Sequence, residues 1–124
     1  MGSTTVKVVV LDEQNQLLYR SYSRHFSQVR EKTCELLRGA EPWVRGQRVR
    51  AMVTGSAGLG MSTAAKVNFT QEVYATAEAV RTYLPGTDAV IELGGEDAKI
   101  IFLTGGTEQR MNGSCAGGTG AFID

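Results

Sequence analysis

One pattern of ten residues occurs twice in this chain of 124, and nothing else restricts the fold as much. Gly2-Ser3-Thr4-Thr5-Val6-Lys7-Val8-Val9-Val10-Leu11 near the start is matched by Gly94-Gly95-Glu96-Asp97-Ala98-Lys99-Ile100-Ile101-Phe102-Leu103 near the end. Each copy runs glycine, three small or polar residues, an apolar residue, lysine, three apolar residues and leucine. Glycine permits a tight turn, and the apolar run after it reads as a buried strand. A second strand follows each copy, Gln16 to Tyr22 in the first and Thr107 to Met111 in the second. A duplication of this kind predicts two tight turns facing each other across a cleft. Backbone amides and hydroxyls on opposed turns suit a polyphosphate. Two unrelated hairpins that share turn grammar are the competing reading.

The stretches between the copies read as α/β. Asp12-Glu13-Gln14-Asn15 is turn chemistry, and Ser23 to Phe26 is a candidate third strand. Ser27 is placed to cap a helix to about Arg38, striped by Val29, Thr33, Leu36, Leu37 and Ala40 and stopped by Gly39 and Pro42. Cys34 on that helix reads as core filler, and Trp43 as a lid over the first unit. Arg45 to Arg50 is a basic, solvated connector. Val49 to Thr54 is a strand ending in Gly55-Ser56-Ala57-Gly58-Leu59-Gly60, whose glycine spacing matches no dinucleotide or P-loop fingerprint and reads as a plain turn. Asn68 or Thr70 begins a helix to about Leu84, with Val73, Ala77, Val80 and Leu84 on one side and Pro85-Gly86 ending it. Asp88 to Leu93 and Ala98 to Leu103 are strands, and Gly105-Gly106 turns the last hairpin.

Charge excludes some functions. Lys+Arg 13 balance Asp+Glu 13, so composition offers no case for nucleic acid or a membrane surface. A single histidine, His25, leaves little for a zinc site or a Ser-His-Asp arrangement. The two cysteines, Cys34 and Cys115, lie far apart in unlike settings, which suits a reducing cytoplasm.

Chemistry concentrates at Met111-Asn112-Gly113-Ser114-Cys115-Ala116-Gly117-Gly118-Thr119-Gly120. A cysteine precedes a glycine-rich turn and then the first turn of a helix. Glycine amides and a helix start favour an anionic thiolate, a better metal ligand or nucleophile than the thiol. One cysteine defines no metal site by itself, so a buried cysteine before a glycine loop is the other reading.

These stretches together resemble the ATPase activators of 2-hydroxyacyl-CoA dehydratases and the related ATPase subunits of benzoyl-CoA reductase. That family belongs to the actin, sugar-kinase and heat-shock-chaperone superfamily. Gly2-Ser3-Thr4-Thr5-Val6-Lys7 looks like its first phosphate motif, and Thr54-Gly55 like its strand-end pair. Glu92-Leu93-Gly94-Gly95-Glu96-Asp97-Ala98-Lys99 looks like its second phosphate motif. The segment around Cys115 is similar to its cluster-binding motif. The resemblance implies an α/β, ribonuclease H-like ATPase fold: a mixed sheet with helices over residues 1–87, and the opening strands of a second copy over 88–124. It implies ATP with Mg²⁺ held by Gly2, Ser3, Thr4, Thr5, Lys7, Gly94 and Gly95, with Glu92, Glu96 and Asp97 around the water and metal. It also implies that Cys115 ligates a [4Fe–4S] cluster shared across a homodimer of the full-length protein. A dehydratase or reductase component would be the electron-accepting partner, with no role for nucleic acid or membrane.

Glu92 stands where the family has aspartate, and the longer carboxylate still reaches Mg²⁺ through water. Met1 stands where the family's first strand ends, and a second cluster cysteine is expected past Asp124. The chain is therefore expected to be a fragment with little ATPase turnover alone. Two rival functions are a sugar or acid kinase of the same superfamily, and a non-enzymatic nucleotide-binding module.

Overall fold

The structure, a computed structural model, describes residues 1–95 and 97–105 and the backbone of 108–111. The first copy of the repeat forms β1 (Thr5–Leu11), antiparallel to β2 (Leu17–Arg24), with Lys7 opposite Tyr22 and Val9 opposite Arg20. Asp12 closes the loop between them by accepting from the N–H groups of Gln14 (2.9 Å) and Gln16 (2.8 Å). Asn15 supplies the left-handed residue, φ 60°. Ser23 and Arg24 continue β2, so no separate third strand forms over Ser23 to Phe26.

The first helix departs from expectation at both ends. α1 spans Val29–Val44 with Gln28 at its N-cap, and Ser27 sits at φ 65° without capping it. Neither Gly39 nor Pro42 stops it. An interior glycine costs about 1 kcal/mol and an interior proline about 3 kcal/mol relative to alanine. At Gly39 packing opposes the cost: a Cβ there would come 2.5 Å from the Tyr19 hydroxyl, so glycine lets α1 lie close on β2. Thr33, Leu36 and Ala40 are buried there, while Leu37 faces out. Cys34 is exposed, which corrects its reading as core filler. Trp43 is half exposed, its ring 6.5 Å from that of Tyr19.

The middle of the chain is a small parallel unit. β3 (Met52–Thr54) pairs with β4 (Asn68–Thr70) through α2 (Gly58–Ala65). The segment read as a plain turn over Gly55 to Gly60 thus opens a helix, which glycine-rich composition conceals. β3 starts later than expected, and Val49 stays outside it. Asn68 and Thr70 belong to β4 and cap nothing. α3 (Glu72–Tyr83) follows with Gln71 at its N-cap. Ala77 is buried, Val73 and Val80 are half-buried and Leu84 is exposed. The Tyr83 hydroxyl donates to Asn15 O at 2.7 Å, tying the end of α3 to the β1–β2 loop.

The second copy forms the antiparallel sheet β5 (Ala89–Leu93), β6 (Ala98–Phe102) and β7 (Glu108–Met111), with β6 in the centre. Its register places Val90 opposite Ile101 and Glu92 opposite Lys99. Val6 on β1 and Ile101 on β6, both from the repeat, are the largest fully buried side chains among the described residues. Gly105 (φ 72°) begins the last hairpin turn; Gly106 and Thr107 lie outside the described residues. No described helix is long and apolar enough to cross a membrane.

Candidate nucleotide site

The two copies close their turns with the same bond. The Gly2 N–H donates to Thr5 O at 2.9 Å, and the Gly94 N–H donates to Asp97 O at 2.7 Å. Glycine and the fourth residue of each copy are thus equivalent in space as well as in sequence. The tips meet: a Cβ added to Gly95 would lie 2.7 Å from Thr4 Cγ2, so only glycine allows this approach. Of the residues expected to hold phosphates, Thr4 and Gly95 are in contact, with Gly2, Ser3, Thr5 and Gly94 in the same two turns.

Two further elements position the first turn. The Met1 amine donates to Thr54 O at 2.6 Å, and Met1 O accepts from the Ala57 N–H at 3.2 Å. Gly55 (φ 98°) leaves no room for a side chain, because a Cβ would overlap the Met1 backbone. Burial holds the Met1 amine below its ordinary pKa, against the opposing pull of Glu72 and with a smaller push from Lys7. His25 braces the turn from the other side. Its backbone N–H donates to Thr4 O at 3.1 Å, and its Nδ1 accepts from the Ser27 N–H at 3.1 Å. That bond leaves the proton on Nε2, which lies 3.3 Å from Gly2 O. The one histidine has a structural use that no spacing rule signalled.

A cleft of about 280 Å³ borders the second turn at Asp97, and none of Gly2, Ser3, Thr4, Thr5, Lys7, Gly94 and Gly95 lines it. Gly55 and Ser56 from the end of β3, Phe69 from β4, Gln71, Glu72 and Val73 from the start of α3, and Asp97 and Lys99 from the second copy line it. Lys99 is the central charge. Its side chain is 10% exposed, and its Nζ donates to Glu72 Oε2 at 2.6 Å and lies 3.9 Å from Glu92 Oε1. Burial alone would lower the Lys99 pKa. The hydrogen bond that Lys99 donates to Glu72 and the charges of Glu92, Glu72 and Asp97 outweigh it and raise the pKa above the usual 10.5. Glu92 Oε2 and Thr54 Oγ1 are buried without a hydrogen-bond partner among the described residues.

Lys7, the counterpart of Lys99, does not join this group. It is exposed on the outer face of β1, with its ammonium 5.6 Å from the centre of the Tyr22 ring. Glu96 and Cys115 lie outside the described residues. Glu72 is the participant that sequence reading missed. An acidic residue in the first turn of a helix is ordinary macrodipole chemistry, and its partner is 27 residues away.

The arrangement fits a magnesium nucleotide chemically. Mg²⁺ is commonly held by one or two carboxylates with waters and phosphate oxygens completing the shell. Asp97 at the cleft and the unpartnered oxygen of Glu92 supply hard oxygen donors of that kind. Turn glycines supply backbone that an anion can approach.

Comparison with known proteins agrees in family and fold. The model of the BadF/BadG/BcrA/BcrD ATPase family matches residues 1–124. A 2-hydroxyisocaproyl-CoA dehydratase activator of Clostridioides difficile is 32% identical over 96 residues, covering 75% of this chain and 35% of that protein. The solved activator of the 2-hydroxyisocaproyl-CoA dehydratase from Clostridium difficile, with bound ADPNP, superposes with a TM-score of 0.77 at 28% identity. That match covers 100% of this chain and 47% of the other. Component A of the Acidaminococcus fermentans (R)-2-hydroxyglutaryl-CoA dehydratase shares the fold, with a TM-score of 0.80 at 23% identity over 100% of this chain and 49% of that one. This chain thus spans between a third and a half of the length of these relatives.

Proposed function

The chain belongs to the BadF/BadG/BcrA/BcrD ATPase family, and from that premise we propose that it grips the nucleotide in an ATP-hydrolysing activator that drives electrons to a partner enzyme. The partner is a dehydratase or reductase component of the 2-hydroxyacyl-CoA dehydratase or benzoyl-CoA reductase type. The observation that carries this reading is the contact of the two repeat turns beside the cleft, Thr4 against Gly95. The phosphates lie along the turns Gly2 to Thr5 and Gly94 to Asp97. Lys99 offsets their charge, and Glu92, Glu96 and Asp97 orient the hydrated Mg²⁺ and the attacking water. Residues 1–87 form one subdomain, and 88–124 open the next.

Cys115 is the cluster ligand in this reading. A cubane cluster takes four thiolates, so one cysteine from each of two subunits would fill two of the four corners. That donor count fits a [4Fe–4S] cluster shared by a homodimer with a further cysteine from each subunit. The cluster, when bound, supplies a one-electron carrier whose potential depends on its hydrogen bonds and exposure. The glycine amides beside Cys115 are the chain's own means of setting that environment.

Two measurements test the proposal. Binding of N-methylanthraniloyl-ATP in Mg²⁺, followed by fluorescence, is expected to saturate and to be competed by ATP. Anaerobic iron–sulfide reconstitution is expected to give a brown protein with broad visible absorption, lost in Cys115→Ser. A protein that binds no nucleotide refutes the ATPase reading. A cluster retained by the serine variant removes Cys115 from the ligand set.

A further inference from the structure

We infer that Glu72 is a specificity-determining residue of the cleft: by holding the ammonium of Lys99, it reserves the cleft for a nucleotide carrying a divalent cation and rejects the free anion. This rests on the nucleotide reading above and adds to it a residue outside every motif of the sequence.

The argument is one of charge. Among the described residues lining the cleft, Lys99 alone is cationic, while Glu72 and Asp97 are anionic. Glu92 adds a third carboxylate, 3.9 Å from the same ammonium. Three carboxylates thus face the ammonium of Lys99, with the Met1 amine, also drawn by Glu72, as a second cationic group, at a place where phosphates are to bind. A free triphosphate meets net repulsion there, because partly buried charges are screened far less than exposed ones. A magnesium complex brings less negative charge and offers the cation to carboxylate oxygens. The buried Glu92 Oε2, without a partner among the described residues, is one such oxygen.

Glu72 controls this balance more directly than the other acids. Among the described residues it alone hydrogen-bonds Lys99, at 2.6 Å. It stands on α3, outside the turn that Gly94 and Asp97 close, so neutralising it leaves the turn's backbone bond in place. With Glu72 neutral, the ammonium of Lys99 loses its hydrogen-bonded acid and meets phosphate with one carboxylate fewer against it.

The test compares N-methylanthraniloyl-ATP affinity in Mg²⁺ and in EDTA for the whole chain and its variants. Wild type is expected to bind far more tightly with Mg²⁺. Glu72→Gln is expected to narrow that ratio about tenfold, by strengthening binding in EDTA, as loss of one repelling charge at short range implies. Adding Lys99→Gln to that variant is expected to restore weak binding in EDTA. Lys99→Gln alone should widen the ratio, which provides a second reading should Glu72→Gln not fold. An unchanged ratio in a folded Glu72→Gln protein overturns the inference while leaving nucleotide binding intact. So does a narrowed ratio that survives loss of Lys99. A wild-type chain that binds in neither condition defeats the nucleotide reading itself.

Discussion

Lys7 and Lys99 occupy the same place in the two copies of the repeat, yet one lies over an exposed tyrosine and the other is enclosed by carboxylates. Their turns close with the same bond and their strands each pair with an antiparallel neighbour. Backbone geometry follows the local pattern in both. What differs is the neighbour placed against each strand: the outer face of β1 is open at Lys7, whereas the start of α3 brings Glu72 to Lys99. Identical local chemistry therefore acquires a charge network in one copy only.

Removing each lysine in turn should expose this difference most sharply. Lys99→Met takes from Glu72 and Glu92 the cation they share, and is expected to cost about 2 kcal/mol, below the full penalty for a buried pair. The discount reflects the 32% exposure of both glutamate side chains. Lys7→Met removes only an exposed ring contact worth about 0.5 kcal/mol. Urea unfolding measures both, and equal losses would mean that the two sites are not different in kind.

A smaller contrast separates the turns. Gly95→Ala pushes a methyl against Thr4 and is expected to cost about 1.5 kcal/mol, in the range for overpacking. Gly2→Ala meets nothing closer than 3.9 Å and should be close to neutral. Thermal unfolding of the two variants side by side decides whether the second turn is the constrained one. A neutral Gly95→Ala would mean that the turns do not press together.

Alkaline pH should give the smallest effect and the most specific one. The folded Lys99 pKa lies above its unfolded value of 10.5, so the folded state holds its proton more tightly. The stability from Lys99 is therefore complete below that value and lost as pH rises through the folded pKa. Unfolding midpoints between about pH 9 and pH 12 should fall more steeply for wild type than for Lys99→Met. Parallel profiles would show that the Glu72–Lys99 pair contributes nothing to folding.

Several elements were legible because their causes are local. The strands around Val8 and Ile100 follow from apolar runs bounded by turn residues, and the Asp12–Asn15 loop from side-chain bonds within five residues of chain. Helix limits were not legible where a distant contact outweighed propensity. Gly39 looks like a stop until Tyr19 is placed beneath it, and the glycines of α2 look like a loop until Gly58 packs on Val53. His25 and Glu72 carried no signal at all. Their partners, Gly2 and Lys99, are too remote for any spacing rule to join.

The repeat by itself determined that this chain has two equivalent glycine turns, each feeding an antiparallel pair of strands, because hydrogen bonds within a turn depend only on residues a few positions apart. Tertiary structure alone decided that the tips of those turns meet at Thr4 and Gly95, and that Lys99, unlike Lys7, is ringed by acids. The physical reason is that an ammonium's surroundings are set by whichever element packs over it, and packing is a property of the whole chain.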